Sequence, residues 1–231
     1  MQSAFKHVAL FTKDPDKLLN FYQRHLGFTL LRRSPTSSLY VSDGWIMYAL
    51  LRYREGSEAK WIGYDHFGFH VSDMQEARKR VVDAYPGVQW DQRPQDGRYA
   101  EYRFYDMDGH PVDVSQEGFR TKDDLTPPTV RHVAISVSDP ARSAAFYKEV
   151  FDLKEIRRAE DEFLLSDGNV NLLFVKHRGE GPCRILHMGL EVRDPQSLAV
   201  SLEAKKSLSC GAVQIEDPDG NALELASSWN L

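Results

Sequence analysis

Four of the eight histidines in this chain keep the same spacing to an aspartate. His7 precedes Asp14, His66 precedes Asp73, His132 precedes Asp139 and His187 precedes Asp194, each by seven residues. A single histidine at a strand start serves packing or solvation. Four in register point to a shared role. Two carboxylates also recur in one context. The segments DMDGHPVDV (106–114) and DPDGNALEL (217–225) place Asp113 and Glu224 four residues after a glycine, between apolar neighbours. A carboxylate in that setting is costly to bury unless it is paired or holds a metal; on a half-exposed strand it is simply solvated. Grouped by half, the candidates are His7, His66 and Asp113, then His132, His187 and Glu224. Two neutral imidazoles and one carboxylate suit a divalent metal with open positions, as in non-haem Fe(II) sites. Fe(II) or Mn(II) is the first expectation, and Zn(II) or Ni(II) fits the same donors. His70, four residues after His66, shares its face by strand alternation and is a candidate general base, or a surface residue at a strand end. Glu191 stands in the same relation to His187. His25, His110 and His177 read as surface residues.

The elements that must carry these side chains follow from an internal repeat. HVALFTKDP (7–15) matches HVAISVSDP (132–140), and NFYQRHLGF (20–28) matches AFYKEVFDL (145–153), both at an offset of 125 residues. HFGFHVSD (66–73) and HMGLEVRD (187–194) repeat the pattern within each half. Four modules therefore begin near residues 5, 62, 130 and 185. In the first, His7, Ala9 and Phe11 alternate with Val8 and Leu10 as in a strand. Asp14-Pro15, Asp139-Pro140 and Asp194-Pro195 each supply a helix N-cap followed by proline at the first helical position. Leu18, Leu19, Phe21, Tyr22 and Leu26 follow at helical spacing, and Gly27 ends that helix. Three further strand-like runs follow, split by turn pairs at Asp43-Gly44 and Asp167-Gly168. The expectation is an α+β chain of four tandem βαβββ modules, pairing into two cup-shaped sheets with helices outside. Residues 1–118 form an N-terminal domain, 119–129 a linker with Pro127-Pro128, and 130–231 a C-terminal domain. Asp73 to Asp108 spans 35 residues and Asp194 to Asp219 only 25, so the fourth module is shortened by a reduced strand or loop, or by a missing segment.

Composition bounds the partners. The chain has 231 residues, 29 Lys+Arg against 34 Asp+Glu, a net charge of −5, 42% hydrophobic residues and two cysteines, Cys183 and Cys210. A nucleic-acid or anionic-membrane surface would need clustered basic residues. Two cysteines make neither a disulfide framework nor a cysteine-rich zinc module. No apolar run reaches membrane-span length and no signal peptide is read. The expectation is a cytoplasmic protein acting on a small molecule, with no nucleic acid or membrane partner and with homo-oligomerisation open.

The fourfold βαβββ plan, the HVAxSVxDP and AFYxxVF segments and the DPDGNxLEL ending resemble the vicinal oxygen chelate superfamily over residues 5–228. That group includes glyoxalase I, extradiol dioxygenases and bleomycin-binding proteins. The resemblance implies metal ligands from first strands and a last strand, as in the two triads above, and it favours the second half, where Glu224 matches the family's ligand type. Glyoxalase I relatives add a carboxylate from the last strand of each module. The matching residues here are Tyr48 and Leu172, so a four-ligand site is not expected, and Tyr48 becomes a candidate to hydrogen-bond an oxygen bound at the metal. Extradiol relatives show a tyrosine upstream of the final Asp-Pro-x-Gly; Gln214 and Arg103 stand there instead, and the acid/base histidine of that class is missing from both halves. The resemblance implies a metal-dependent enzyme whose substrate chelates the metal through adjacent oxygens, most like an extradiol dioxygenase in ligand set. A glyoxalase-type lyase or isomerase, and a non-catalytic binding protein of the bleomycin-resistance kind, are the alternatives.

Overall fold

The computed structural model describes residues 1–56, 61–94, 98–202, 206–208 and 211–229. Each quarter of the chain is one βαβββ module. The first holds β1 (Ser3–Thr12), α1 (Pro15–Leu26), β2 (Thr29–Arg33), β3 (Leu39–Ser42) and β4 (Met47–Arg52). The second holds β5 (Gly63–Val71), α2 (Met74–Ala84), β6 (Trp90–Gln92), β7 (Tyr102–Tyr105) and β8 (Pro111–Ser115). The third holds β9 (Thr129–Val137), α3 (Pro140–Phe151), β10 (Lys154–Ala159), β11 (Glu162–Ser166) and β12 (Asn171–Lys176). The fourth holds β13 (Ile185–Glu191), α4 (Pro195–Ser201), β14 (Lys206–Ser207), β15 (Val213–Glu216) and β16 (Ala222–Ala226).

Local chemistry sets the boundaries. Asp14, Asp73, Asp139 and Asp194 cap the four helices, each carboxylate accepting from backbone N–H groups of the first turn. Gly27 closes α1 in the left-handed conformation, where a Cβ would be strained. The shortening of the fourth module is shared: α4 has 7 residues against 11 in α2, and β14 keeps its place in the sheet with only two. Residues 203–205 and 209–210 of that stretch lie outside the described residues.

Modules pair within each half. The two sheets run β2-β3-β4-β1-β5-β8-β7-β6 and β10-β11-β12-β9-β13-β16-β15-β14. At each centre the first strands of two modules lie antiparallel, His7 opposite Gly68 and Ala9 opposite His66, then His132 opposite Gly189 and Ala134 opposite His187. His7, Ala9 and Phe11 face the concave side. Phe5, Val8 and Leu10 face the convex side and are fully buried in a core that spans both halves. The halves therefore meet through their convex sides, with Phe69 stacked on Phe151 at 3.9 Å between ring centroids.

A set of polar contacts repeats across this junction. Tyr147 on α3 donates to Asp106 Oδ2 at 2.8 Å, and Tyr22 on α1 donates to Asp217 Oδ2 at 3.0 Å. Asp43 Oδ2 accepts from the Val130 N–H at 2.6 Å, and Asp167 Oδ2 accepts from the Phe5 N–H at 2.7 Å. Each half thus lends one helix tyrosine and one turn aspartate to the other. The segment 119–129 is no free tether. Thr121 donates to the Trp45 carbonyl, and Asp123 pairs with the buried Lys6.

Tyr22→Phe and Tyr147→Phe should each lose about 1–3 kcal/mol of stability, because each leaves a buried carboxylate oxygen short of a donor. Urea unfolding with an unchanged m-value would record this. A shift indistinguishable from wild type in both variants would show that the tyrosines do not hold the halves together.

Candidate functional site

The concave face of the N-terminal sheet brings His7, His66 and Asp113 together from three adjacent strands. One ligating atom of each lies within 4.8 Å of the others, and all three residues are buried. The strand register explains the meeting. His7 sits opposite Gly68 on β5, and Gly68 sits beside Asp113 on β8. Gly68 is required there: a Cβ would lie 2.6 Å from the Asp113 carbonyl oxygen and 2.9 Å from the Phe119 ring. Phe119 fills that space and stacks on His7 at 4.7 Å.

The imidazoles are oriented from behind. His7 Nδ1 donates to the Met47 carbonyl at 2.9 Å, and His66 Nδ1 donates to Asp65 Oδ2 at 2.7 Å. Both rings therefore carry a proton on Nδ1 and turn Nε2 toward the cup, the orientation of metal-ligating histidines. His66 Nε2 lies 3.3 Å from Asp113 Oδ2, and Arg103 Nε donates to Asp113 Oδ1. Burial, helped by His66 and Arg103, lowers the His7 pKa to about 3 and keeps the ring neutral. Burial pushes Asp113 upward, yet His66 and Arg103 outweigh it and hold the carboxyl well below the usual range. A neutral His7 and an ionised Asp113 are metal-binding forms, and a cation bound between the three residues would take the place of any proton on His66 Nε2, so this donor set fits a divalent ion.

Above the triad opens a cavity of about 630 Å³. Met47, Ala49 and Phe119 line its buried floor, and Arg52, Arg93 and Arg98 stand in its wall, half-buried to exposed.

The C-terminal half repeats the skeleton with different support. His187 Nε2 lies 3.4 Å from Glu224 Oε2, and His132 stacks on Trp229 at 4.7 Å, parallel to 1°. Among the described residues, the buried His132 Nδ1 has no hydrogen-bond partner, where His7 has the Met47 carbonyl. Gln214 faces Glu224 where Arg103 faces Asp113. Burial raises Glu224 and lowers His187 to about 4; burial, together with His187 and Arg157, lowers His132 to about 3.

Several expected positions are corrected. Tyr48 is not in the site. It lies on the convex face, fully buried, 3.1 Å from the Tyr22 hydroxyl. Strand parity is the cause: Met47 pairs with His7 and Ala49 with Ala9, so Ala49 is the counterpart of Asp113, and Leu173 rather than Leu172 that of Glu224. His70 is likewise apart. Its Nε2 donates to the Gln116 carbonyl at 2.5 Å, and it does not line the cavity. His110 is buried rather than at the surface, its Nδ1 2.9 Å from Asp106 Oδ2. Phe119, assigned to the linker, belongs to the cup. Gly68, Asp65 and Phe119 stand outside the candidate set that the sequence pattern marks. The repeated His-x-Gly at 66–68 and 187–189, against His-Val-Ala at 7–9 and 132–134, was the available signal.

Comparison with known proteins agrees with this layout. The family model described as "Glyoxalase/Bleomycin resistance protein/Dioxygenase superfamily" matches residues 4–114 and 129–225. The chain belongs to that superfamily. It is 25% identical over 193 residues to "Glyoxalase I" of Saccharomyces cerevisiae, covering 68% of this chain and only 59% of that protein. Among solved structures, the 2,3-dioxygenase LapB from Pseudomonas sp. KL28 superposes with a TM-score of 0.74 at 16% identity, covering 96% of this chain and 90% of its own. The Mn(II)-bound glyoxalase from Novosphingobium aromaticivorans gives 0.73 at 16% identity, with 96% and 80% covered. At these identities the two structures share the fold. No helix among the described residues is long and apolar enough to cross a membrane.

If Asp65 orients His66, Asp65→Ala should weaken metal affinity by about 10–100-fold while leaving the fold intact. Competition against a chromophoric chelator, with circular dichroism as the fold control, measures both. Unchanged affinity would remove Asp65 from the site's support.

Proposed function

We propose that the N-terminal half holds one divalent metal ion on His7, His66 and Asp113, and that the chain is a metal-dependent enzyme whose small substrate chelates the ion through two adjacent oxygens. The observation that carries this is the pair of Nδ1 hydrogen bonds, to the Met47 carbonyl and to Asp65, which turn both Nε2 atoms toward the ionised Asp113. Fe(II) or Mn(II) is the first choice for this donor set, with Zn(II) or Ni(II) compatible. The bound ion would supply Lewis acidity toward the chelating oxygens, and redox capacity if it is Fe(II).

The protein residues have distinct tasks. His7 and His66 offer Nε2, and Asp113 offers Oδ2. Arg103 keeps Asp113 ionised and fixes its second oxygen. Phe119 and Met47 flank His7 and exclude water from the floor of the cavity. Three protein donors, with Ala49 where a fourth would stand, leave positions open for a two-oxygen substrate. That count matches the dioxygenase side of the superfamily. Lyase or isomerase chemistry is the second reading, supported by two observations. His7 and His66 are the only histidines among the described residues lining the cavity, which leaves no third imidazole for proton transfer. The yeast relative is named a glyoxalase.

Metal analysis of anaerobically purified protein tests the site. About one ion per chain is expected, lost in His7→Ala and Asp113→Ala and retained in His132→Ala and Glu224→Ala. The reverse pattern would move the centre to the C-terminal half. No ion, and none taken up on reconstitution, would leave a small-molecule binding protein. Oxygen uptake with a catechol then separates dioxygenase from lyase chemistry.

A further inference from the structure

The segment joining the halves is seated in the N-terminal cup by one buried ring. Residues 116–128 form neither helix nor strand, and within them Phe119 alone is fully buried. Both ends are pinned. At one end the Gly118 N–H donates to Ser115 Oγ at 2.6 Å, and a Cβ on Gly118 would collide with the Tyr99 carbonyl oxygen. At the other, Asp43 Oδ2 accepts from Thr129 Oγ1 and from the Val130 N–H. Between the pins, Leu125 rests half-buried on the core, Thr121 donates to the Trp45 carbonyl, and Asp123 pairs with Lys6 Nζ at 3.1 Å.

Lys6 is aimed at that contact by the backbone. It is the extra residue of the β1 bulge, between Phe5 opposite Phe69 and His7 opposite Gly68, and a bulge re-aims the side chain it carries. The Lys6 side chain is 8% exposed, and its ammonium lies 3.3 Å from the centroid of the Trp45 ring. Its partner Asp123 is 82% exposed. Such a pair is asymmetric. Water accepts a released carboxylate, while the buried ammonium keeps the Trp45 face and the field of Asp43 and Asp167. The open state is therefore tolerable, and the closed state is favoured by one direct ion pair.

The third module shows that the fold does not require this arrangement. Arg131 takes the same bulge position and pairs at 3.6 Å with Glu191 of its own sheet. His70 stands where Glu191 does, and Val170 where Trp45 does. In the first half the bulge residue reaches into the linking segment instead. The next residue along β1 is His7, and the buried ring of the segment is stacked on it. Latch and candidate ligand are consecutive residues, and the segment returns to both.

We propose that residues 119–126 form a movable wall of the N-terminal cup, held shut by the Lys6–Asp123 pair. Latched, Phe119 sits on His7 and completes the floor. Released, the ring leaves the floor and His7 loses the group stacked on it. Lys6 and Asp123 are thus positioning residues. The effect on His7 as a ligand rests on the metal reading above; the opening of the wall does not.

Trypsin reads the opening, because the segment carries Arg120 on its exposed side and cleavage there tracks the open population. In metal-free protein, Asp123→Asn should speed the cut after Arg120 about ten-fold relative to the same chain unfolded, with cuts elsewhere unchanged. Lys122→Gln, at an exposed neighbour, should cut as wild type does. The same proteins loaded with Zn(II) are then mixed with excess chromophoric chelator. Asp123→Asn and Phe119→Ala should each release zinc about ten-fold faster, with stoichiometry unchanged. Cleavage of Asp123→Asn at the wild-type rate, or equal acceleration by Lys122→Gln, would overturn the latch. Faster cleavage with unchanged zinc release in both variants would overturn the support of His7. A protein that takes up no zinc would reject the metal reading, and the cleavage rates would still decide the latch.

Discussion

The reciprocal tyrosine–aspartate hydrogen bonds between the halves are the constraint on which the site depends. Asp106 and Asp217 each open a tight turn, with Oδ1 accepting from two backbone N–H groups of that turn. Oδ2 of each accepts from the tyrosine on the other half's helix. Each turn feeds directly into the strand that presents the carboxylate, Asp113 or Glu224. A helix of one half thereby fixes where the other half's ligand strand begins. The tyrosines are buried among aromatic rings, so no water replaces a lost hydroxyl and the aspartate oxygen it served would be left short of a donor. His110 on Asp106 and Asn221 on Asp217 complete the two nodes.

The same skeleton carries two unlike sites because of residues behind the candidate ligands. In the N-terminal cup a carbonyl and a carboxylate hold the imidazoles, and a guanidinium holds the third donor. Both Nδ1 atoms and the second oxygen of Asp113 have partners there. In the C-terminal cup, Gln214 replaces the guanidinium, and burial alone acts on Glu224 and drives it toward its neutral form. The His132 ring rests on Trp229, with no acceptor at Nδ1 among the described residues. Duplication preserved the strand positions. The support that makes a donor set bind a cation is a separate property, and it differs between the halves.

Much of the fold was legible in the residues because its signals are local. Asp-Pro caps, the Leu26-Gly27 stop and the 125-residue offset lead directly to the βαβββ modules and to which strands carry the histidines. The candidate ligands were legible for the same reason. Tyr48 was misplaced by one residue, and in a strand one residue is the difference between two faces. A bulge between Phe5 and His7 sets which residues of β1 face the cup, and no local pattern reveals it. The Tyr147–Asp106 contact spans 41 residues and the Tyr22–Asp217 contact 195, so neither leaves a periodic trace. His110 looked like an exposed turn residue because the turn's burial comes from the opposite half.

Placement of charge by depth is the last step from fold to function. A central strand buried on both faces gives the cup a dry floor, where electrostatic interactions are strongest and every unpaired charge is most costly. On that floor each carboxylate faces a donor: Asp65 takes the His66 Nδ1 proton and Asp113 faces the Arg103 guanidinium. Arg52, Arg93 and Arg98 sit higher in the wall, half-buried to exposed, where water reduces the cost of a charge. The polar oxygens of a molecule entering such a cup need leave water only where the floor offers partners to replace it. The strand pairing that buries the floor thus gives strength to a few interactions.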